Sequence, residues 1–227
     1  MLTIIIDTIV LIFLVWNFTL IGYRDKDLTP LEQDESSVFS EKARSILLRQ
    51  NSDKAILLIH GFPSTPSLYT YSAQRFFDAG WDVHAPLIPT FGSDPKKFEN
   101  TNFTQWFDYI CRYYETMRKT YPTVHVLGTS MGGLMALKLG EKYCDTDQAP
   151  DKIVTIAAPV VYNSIRDRIF TDARSLVMRT VALFTASLGA KIVDGNPDSD
   201  DGNEDWVGYG GQFIRAGLSL IHAMKDV

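Results

Sequence analysis

Residues 128–132 read Gly-Thr-Ser-Met-Gly and directly follow an apolar, strand-like run. A serine that acts as a nucleophile has to project from a sharp turn between a strand and a helix, and glycines two residues before and after it leave room for that turn. We therefore predict that Ser130 is a nucleophile supported by Gly128 and Gly132, and that the backbone N–H of Met131 points at a developing oxyanion. The alternative interpretation is a turn rich in small residues with a buried hydroxyl.

A second segment that could take part in chemistry lies earlier in the chain. Residues 55–59 form a continuous apolar run that predicts a buried strand, and His60-Gly61-Phe62 follows it. A His-Gly pair at the end of an early strand resembles the oxyanion loop of the α/β-hydrolases. The resemblance implies that the N–H of Phe62 is a second oxyanion donor beside that of Met131, and that His60 is a structural member of the loop rather than a base.

The resemblance extends to the bacterial carboxylesterase and monoacylglycerol-lipase branch of that superfamily, the serine aminopeptidase S33-type hydrolases. In this branch a loop of small residues, here residues 63–66, follows His-Gly-Phe, and a glycine, here Gly92, precedes an acidic and proline-containing stretch. The position before that glycine usually holds a histidine in the branch, and this chain has Phe91 there. Hydrolases of this type carry a cap over the active site, and we expect its apolar face to form the wall of an acyl pocket together with Phe62, Leu87, Ile88 and Phe91.

The elements that position these residues alternate between strands and helices. We predict strands over 54–60, 81–86, 123–128 and 152–158, and helices over 66–79, 103–120 and 131–143. This alternation predicts an α/β fold with a doubly wound, mainly parallel sheet, which binds ligands at the carboxyl ends of its strands. His60 and Ser130 both fall at such ends.

The chain is predicted to have three parts. Residues 1–23 form an anchor, residues 24–52 form a linker with a short helix around 41–49, and residues 53–227 form the hydrolase domain. Within that domain residues 161–192 are amphipathic and predict helices, and residues 194–205 predict a loop, so we expect a helical cap over about 161–207. The acidic residues between 198 and 205 are most simply a solvated loop, and no metal site is predicted.

No histidine after Ser130 is well placed to act as its base. The hydrolase order is Ser, then Asp or Glu, then His, so only His222 qualifies. His222 lies in a predicted helix, whereas the resemblance implies a loop after the last strand. We therefore expect the chain to lack the last strands of the fold, to be an incomplete or degenerate hydrolase with its acid and histidine beyond residue 227, and to be weakly active.

The N-terminal segment differs in composition from the rest of the chain. Residues 2–22 are almost wholly apolar, with Asp7 as their one charged residue. About 20 such residues span a bilayer core, and the segment lacks the basic start and the small-residue cleavage site of a signal peptide. Lysines and arginines follow it but do not precede it. We therefore predict a single-pass membrane protein whose catalytic domain is cytoplasmic.

Composition excludes several classes of function. The net charge is −5, with 22 basic and 27 acidic residues and no basic stripe, which argues against nucleic-acid binding. Neither Cys111 nor Cys144 forms a metal-binding or redox motif, and no cofactor is predicted. We expect a serine ester hydrolase that acts on an ester or a lipid-like small molecule. Peptidase and haloperoxidase chemistries, and a non-catalytic module that binds an apolar ligand or a partner, remain open alternatives, as does the oligomeric state.

Overall fold

Five strands form the central sheet of the chain. The computed structural model describes residues 1–18, 24–160, 164–195 and 205–226. The sheet strands are β1 (Ile46–Leu48), β2 (Lys54–Ile59), β3 (Asp82–Ala85), β4 (Thr123–Thr129) and β5 (Lys152–Ile156). Their order is β1-β3-β2-β4-β5, in which β2 to β5 are parallel and β1 is antiparallel to β3. The predicted α/β fold with a mainly parallel sheet is thus confirmed.

The structure describes seven α-helices, of which the second packs on one face of the sheet and the fourth and fifth pack on the other. They are α1 (Leu2–Phe18), α2 (Thr70–Asp78), α3 (Pro95–Phe98), α4 (Phe103–Thr120), α5 (Met131–Tyr143), α6 (Ile165–Val181) and α7 (Ile214–Ala223). Alternate side chains of β2 point to opposite faces, so Ile56 and Leu58 pack with Ala73 of α2. Leu57, between them, packs in the larger core that contains Trp106 of α4 and Leu134 of α5. The predicted helices over 103–120 and 131–143 agree with α4 and α5 residue for residue.

The sheet begins earlier than predicted. The short helix expected around 41–49 is a single 3-10 turn, Glu41–Ala43, and β1 follows it within the predicted linker. A strand of three residues is too short to show a periodic pattern, and β1 is defined by its pairing with β3, from Ile46 opposite Ala85 to Leu48 opposite Val83.

The predicted helical cap is only partly helical. Helix α6 ends at Val181, and the chain then forms a two-stranded antiparallel sheet of β6 (Ser187–Asp194) and β7 (Val207–Phe213). The hairpin depends on close backbone approach, because a Cβ on Gly211 (φ +103°) would lie 2.4 Å from the carbonyl oxygen of Gly189. The prediction of helix over residues 182–192 is therefore wrong. Residues 161–163 and 196–204, which include most of the acidic run, lie outside the described residues.

The predicted N-terminal transmembrane helix is also wrong. Helix α1 has 17 residues, Leu2–Phe18, and is thus about 25 Å long at 1.5 Å per residue, against a bilayer core of about 30 Å. In the ranges that the structure describes, no helix combines the length and the apolar character needed to cross a membrane. The predicted single-pass topology, and the localisation based on it, are therefore wrong. Residues 19–22 of the predicted span lie outside the described residues.

Candidate active site

Ser130 lies at the junction of β4 and α5 in a strained backbone conformation. Its φ of 54° and ψ of −118° place a non-glycine residue in the left-handed half of conformational space. Such strain costs about 1–3 kcal/mol and persists only where the surrounding structure enforces it. Here the Ser130 N–H donates to the carbonyl oxygen of Ile156 at 2.7 Å, and the Ser130 carbonyl accepts from the N–H of Leu134 at 3.1 Å. The turn therefore presents the half-buried Ser130 side chain at the carboxyl ends of β4 and β5.

No side chain fits at the two glycines that flank Ser130. A Cβ on Gly128 would lie 2.0 Å from the carbonyl oxygen of Gly132, and a Cβ on Gly132 would lie 1.9 Å from that of Ile59. Both obstructing atoms are backbone atoms, which cannot move aside without displacing a strand or the first turn of α5. The spacing of Gly128 and Gly132 about Ser130 thus reflects a turn in which the helix starts against the strand.

The His60-Gly61-Phe62 loop lies against this turn. A Cβ on Gly61 would lie 3.1 Å from the carbonyl oxygen of Thr129, 3.2 Å from the Cβ of Ser130 and 3.8 Å from its Oγ. No acceptor in the described part of the chain receives a hydrogen bond from the backbone N–H of Phe62 or Met131. Unpartnered backbone donors are what an oxyanion hole requires, so these two N–H groups remain candidates for that role.

His60 braces this loop from within the core. It is 0% exposed, its Nε2 accepts from the N–H of Ile88 at 3.2 Å, and its Nδ1 lies 3.1 Å from the carbonyl oxygen of Gly61. A backbone N–H can only donate, so the ring proton is on Nδ1 and is donated to Gly61. Burial lowers the pKa of His60 from 6.5 to about 4, which keeps the ring neutral. With both nitrogens engaged, His60 has none left to accept a proton from Ser130.

The predicted pocket-wall residues lie behind this loop. The side chains of Leu87, Ile88 and Phe91 are at most 1% exposed. The ring of Phe91 meets that of His60 at a centroid distance of 5.0 Å and that of Phe62 at 6.4 Å, both edge to face. In this conformation the three side chains form the core beneath Phe62, which is itself half-buried.

The other three histidines are engaged away from Ser130. His84 lies between two tyrosine hydroxyls, with Nδ1 3.0 Å from Tyr113 and Nε2 3.1 Å from Tyr121. The ring of His125 contacts that of Trp81 at 4.4 Å. His222, on α7 as expected, lines a cavity of about 380 Å³ beside the first turn of α4. Across the residues that the structure describes, no hydrogen bond joins Ser130 to a histidine.

A cavity at the other end of the sheet from Ser130 is a second candidate site. A cavity of about 490 Å³, with Arg49, Asp82 and His84 in its wall, lies at the amino ends of β2 and β3. The polar groups in its wall bond to one another: Asp82 accepts from Tyr121 and from two backbone N–H groups. We take the turn at Ser130 as the candidate site, because strained backbone clusters at functional sites, whereas a cavity by itself indicates no particular chemistry.

Sequence reasoning missed the contact between the β6–β7 hairpin and Pro63, the residue that directly follows the His60-Gly61-Phe62 loop. The Tyr209 N–H on β7 donates to the carbonyl oxygen of Pro63 at 3.0 Å. The Tyr209 hydroxyl lies 2.6 Å from the carbonyl oxygen of Thr90 and 2.7 Å from that of Ser93, and it accepts from the N–H of Ser93 at 3.0 Å. The alternation of large residues and glycines in β7 was the available signal for a strand at this position.

Comparison with known proteins identifies the family of the chain. Residues 50–227 match the protein family described as serine aminopeptidase, S33. The chain is 31% identical over 96 residues to a thermostable monoacylglycerol lipase of Bacillus sp. (strain H-257), an alignment covering 42% of this chain and 38% of the lipase. It is 29% identical over 92 residues to a carboxylesterase of Bacillus subtilis (strain 168), covering 40% of this chain and 37% of the esterase. These alignments span less than half of either relative.

Solved structures support the fold. One of two metagenome-derived lipolytic enzymes, LipS and LipT, superposes with a TM-score of 0.61 at 18% identity, over 82% of this chain and 69% of its own. The monoacylglycerol lipase of Paleococcus ferrophilus superposes with a TM-score of 0.55 at 18% identity, over 80% and 70%. Together with the family match across residues 50–227, these findings confirm that the chain belongs to the serine aminopeptidase S33 family of α/β hydrolases.

Proposed function

We propose that the chain is a serine ester hydrolase in which Ser130 attacks the carbonyl carbon of a carboxylic ester. The observation that carries this proposal is the strained backbone of Ser130, which is held between Gly128 and Gly132 and faces Gly61. The Bacillus relatives named monoacylglycerol lipase and carboxylesterase favour an ester over an amide as the bond that is cleaved.

The proposed oxyanion donors are the N–H groups of Phe62 and Met131. Attack by Ser130 Oγ turns the ester carbonyl oxygen into an oxyanion, and two preorganised N–H groups stabilise that charge as it develops. Met131 is the first residue of α5, so its N–H belongs to the helix terminus that favours negative charge. Collapse of the tetrahedral intermediate then expels the alcohol and leaves an acyl group on Ser130.

The proposed acyl pocket is apolar. Phe62 follows Gly61, the residue that faces Ser130, and the Phe62 ring contacts Phe91, Phe98 and Trp106 at centroid distances of 5.5–6.4 Å. Leu87, Ile88 and Phe91 are packed beneath it, so an acyl chain would enter by displacing the half-buried Phe62 ring. Such surroundings favour an ester with an apolar or lipid-like acyl group.

One observation favours the alternative of a non-catalytic, hydrolase-like binding module. No histidine in the described ranges hydrogen-bonds to Ser130, and a serine hydroxyl is a weak nucleophile without a base. Under the proposed function this predicts slow acylation, whereas under the alternative Ser130 does not react at all.

Covalent labelling separates the two. The purified protein is incubated with a fluorophosphonate, and the labelled peptide is identified by mass spectrometry. We expect one modified serine, Ser130, with labelling lost in Ser130→Ala. The control Ser72→Ala removes another half-buried serine, on α2, and should label like the wild type. Label that persists in Ser130→Ala, or no label even at long incubation, would overturn the proposal, and the second result would favour the binding module.

A further inference from the structure

One buried hydroxyl links the two strands that carry the proposed catalytic groups. The Tyr69 side chain is 4% exposed, and its Oη lies 2.8 Å from the carbonyl oxygen of Ile59 and 2.9 Å from Oγ1 of Thr129. Ile59 is the last residue of β2, immediately before the oxyanion loop, and Thr129 is the last residue of β4, immediately before Ser130.

Proton counting fixes the direction of both hydrogen bonds. Tyr69 has one hydroxyl proton, and the Ile59 carbonyl oxygen can only accept, so Tyr69 donates to Ile59. The Thr129 hydroxyl then donates to the oxygen of Tyr69. Burial raises the pKa of Tyr69 to about 12, so the proton stays on the phenol over the whole working range of pH. The result is a directed chain from Thr129 through Tyr69 to Ile59.

The acceptor at the end of this chain also defines the turn at Ser130. The Ile59 carbonyl oxygen is the atom that would lie 1.9 Å from a Cβ on Gly132, so it rests against the first turn of α5. On the other side, Gly61 contacts Thr129 and Ser130. The position of the oxyanion loop relative to Ser130 therefore depends on where the end of β2 is held, and Tyr69 donates to the same carbonyl oxygen of Ile59 that borders Gly132.

We propose that Tyr69 is a positioning residue that sets the distance between the oxyanion loop and Ser130. The proposal rests on the proposed function for its catalytic consequence, because the hydroxyl touches no reacting atom. It acts through Ile59 and Thr129, whose neighbours His60-Gly61-Phe62 and Ser130 carry the proposed chemistry.

The variant Tyr69→Phe removes the hydroxyl and keeps the ring, which packs with Ile56, Leu58 and Ala73. Its matched control is Tyr114→Phe, since Tyr114 is 0% exposed and its hydroxyl donates to the carbonyl oxygen of Gln148 at 2.6 Å, in a part of the core formed by α4 and α5. Thr129→Val and Thr129→Ser test the other end of the chain, because serine retains the hydroxyl that valine lacks.

Hydrogen–deuterium exchange measures the positioning without requiring any reaction. In Tyr69→Phe and Thr129→Val we expect exchange of the backbone amides in residues 58–64 and 127–133 to rise about fivefold relative to the rest of the sheet, as expected for loss of a buried hydrogen bond. Thr129→Ser and Tyr114→Phe should exchange like the wild type in these segments. Unchanged exchange in Tyr69→Phe, or an equal rise throughout the chain, would refute the positioning role.

The rate of fluorophosphonate labelling measures the catalytic consequence. If the wild type labels at Ser130, Tyr69→Phe should label about tenfold more slowly, with Thr129→Ser near the wild-type rate. Labelling of Tyr69→Phe at the wild-type rate would overturn the proposal even if exchange rises. If the wild type does not label at all, the proposed function fails, and the exchange experiment still decides whether Tyr69 fixes the loop.

Discussion

The carbonyl oxygen of Ile59 occupies the space that a side chain on Gly132 would need. A Cβ on Gly132 would lie 1.9 Å from it, and 2.8 Å from the carbonyl oxygen of His60. The second glycine of the Gly-Thr-Ser-Met-Gly motif is thus determined by a strand that lies some seventy residues earlier in the chain. The motif and the His-Gly-Phe loop are two halves of one packed junction.

Gly132→Ala should therefore be strongly destabilising, by about 2 kcal/mol or more, because the obstruction is backbone and a strand has to move. Gly217→Ala is the matched control on another helix. There the added Cβ would meet the Cε of Met178 at 2.9 Å, the flexible end of a side chain that can turn away, and alanine favours the helix by up to about 1 kcal/mol. Urea unfolding of both variants tests this, and equal stabilities would contradict the packing argument.

A second prediction concerns the stability of the fold at low pH. Burial lowers the pKa of His60 to about 4, and burial together with the charge of Arg49 lowers that of His84 to about 4, partly offset by Asp82. In the unfolded chain the two histidines become protonated near pH 6.5, whereas in the folded chain they become protonated only near pH 4. The stability contributed by neutral His60 and His84 is thus complete above about pH 6.5 and is lost as the pH falls towards 4.

When the pH is lowered from about 7.5 to about 5, each of these histidines should lower the free energy of unfolding by about 2 kcal/mol. In His84→Gln the neutral amide stays between Tyr113 and Tyr121, so the pH-dependent loss should shrink by about that amount. Urea titrations of both proteins at the two pH values measure the difference. An identical pH dependence in His84→Gln and the wild type would show that His84 does not titrate as argued.

The sequence predicted the strongly periodic helices and the strand ends, whereas it did not predict the elements that are held in place by pairing with other segments. Helices α4 and α5 have long amphipathic or apolar patterns, and Ser130 and His60 fall at strand ends as expected. Strand β1 is three residues long, and the two strands of the β6–β7 hairpin contain four glycines and form a separate small sheet. Tyr69 carried no signal, because its role depends on Ile59 and Thr129 being brought together by the parallel sheet.

Tyr209 supplies a third prediction. In Tyr209→Phe the N–H of Ser93 loses its acceptor, and the carbonyl oxygens of Thr90 and Ser93 lose the hydroxyl, in a residue that is 2% exposed. We expect a loss of about 1–3 kcal/mol and faster proteolysis within the β6–β7 hairpin. Tyr71→Phe, at a residue that is 71% exposed, should change neither quantity. A hairpin that is equally resistant to protease in both variants would argue against this anchoring.

The last prediction concerns turnover. Purified protein should hydrolyse p-nitrophenyl butyrate only slowly, because no hydrogen bond among the described residues connects Ser130 to a histidine. Removal of the triad histidine of subtilisin lowers kcat by about 10⁶, and the contribution that survives comes from the oxyanion hole and from binding. We expect a rate within about a hundredfold of that of Ser130→Ala, consistent with oxyanion stabilisation by Phe62 and Met131 alone. His222→Ala should hydrolyse at the wild-type rate, since His222 lines a cavity beside Phe103 and Thr104. Fast turnover that is abolished by His222→Ala would mean that α7 delivers a base to Ser130, and would require a rearrangement of this helix during catalysis.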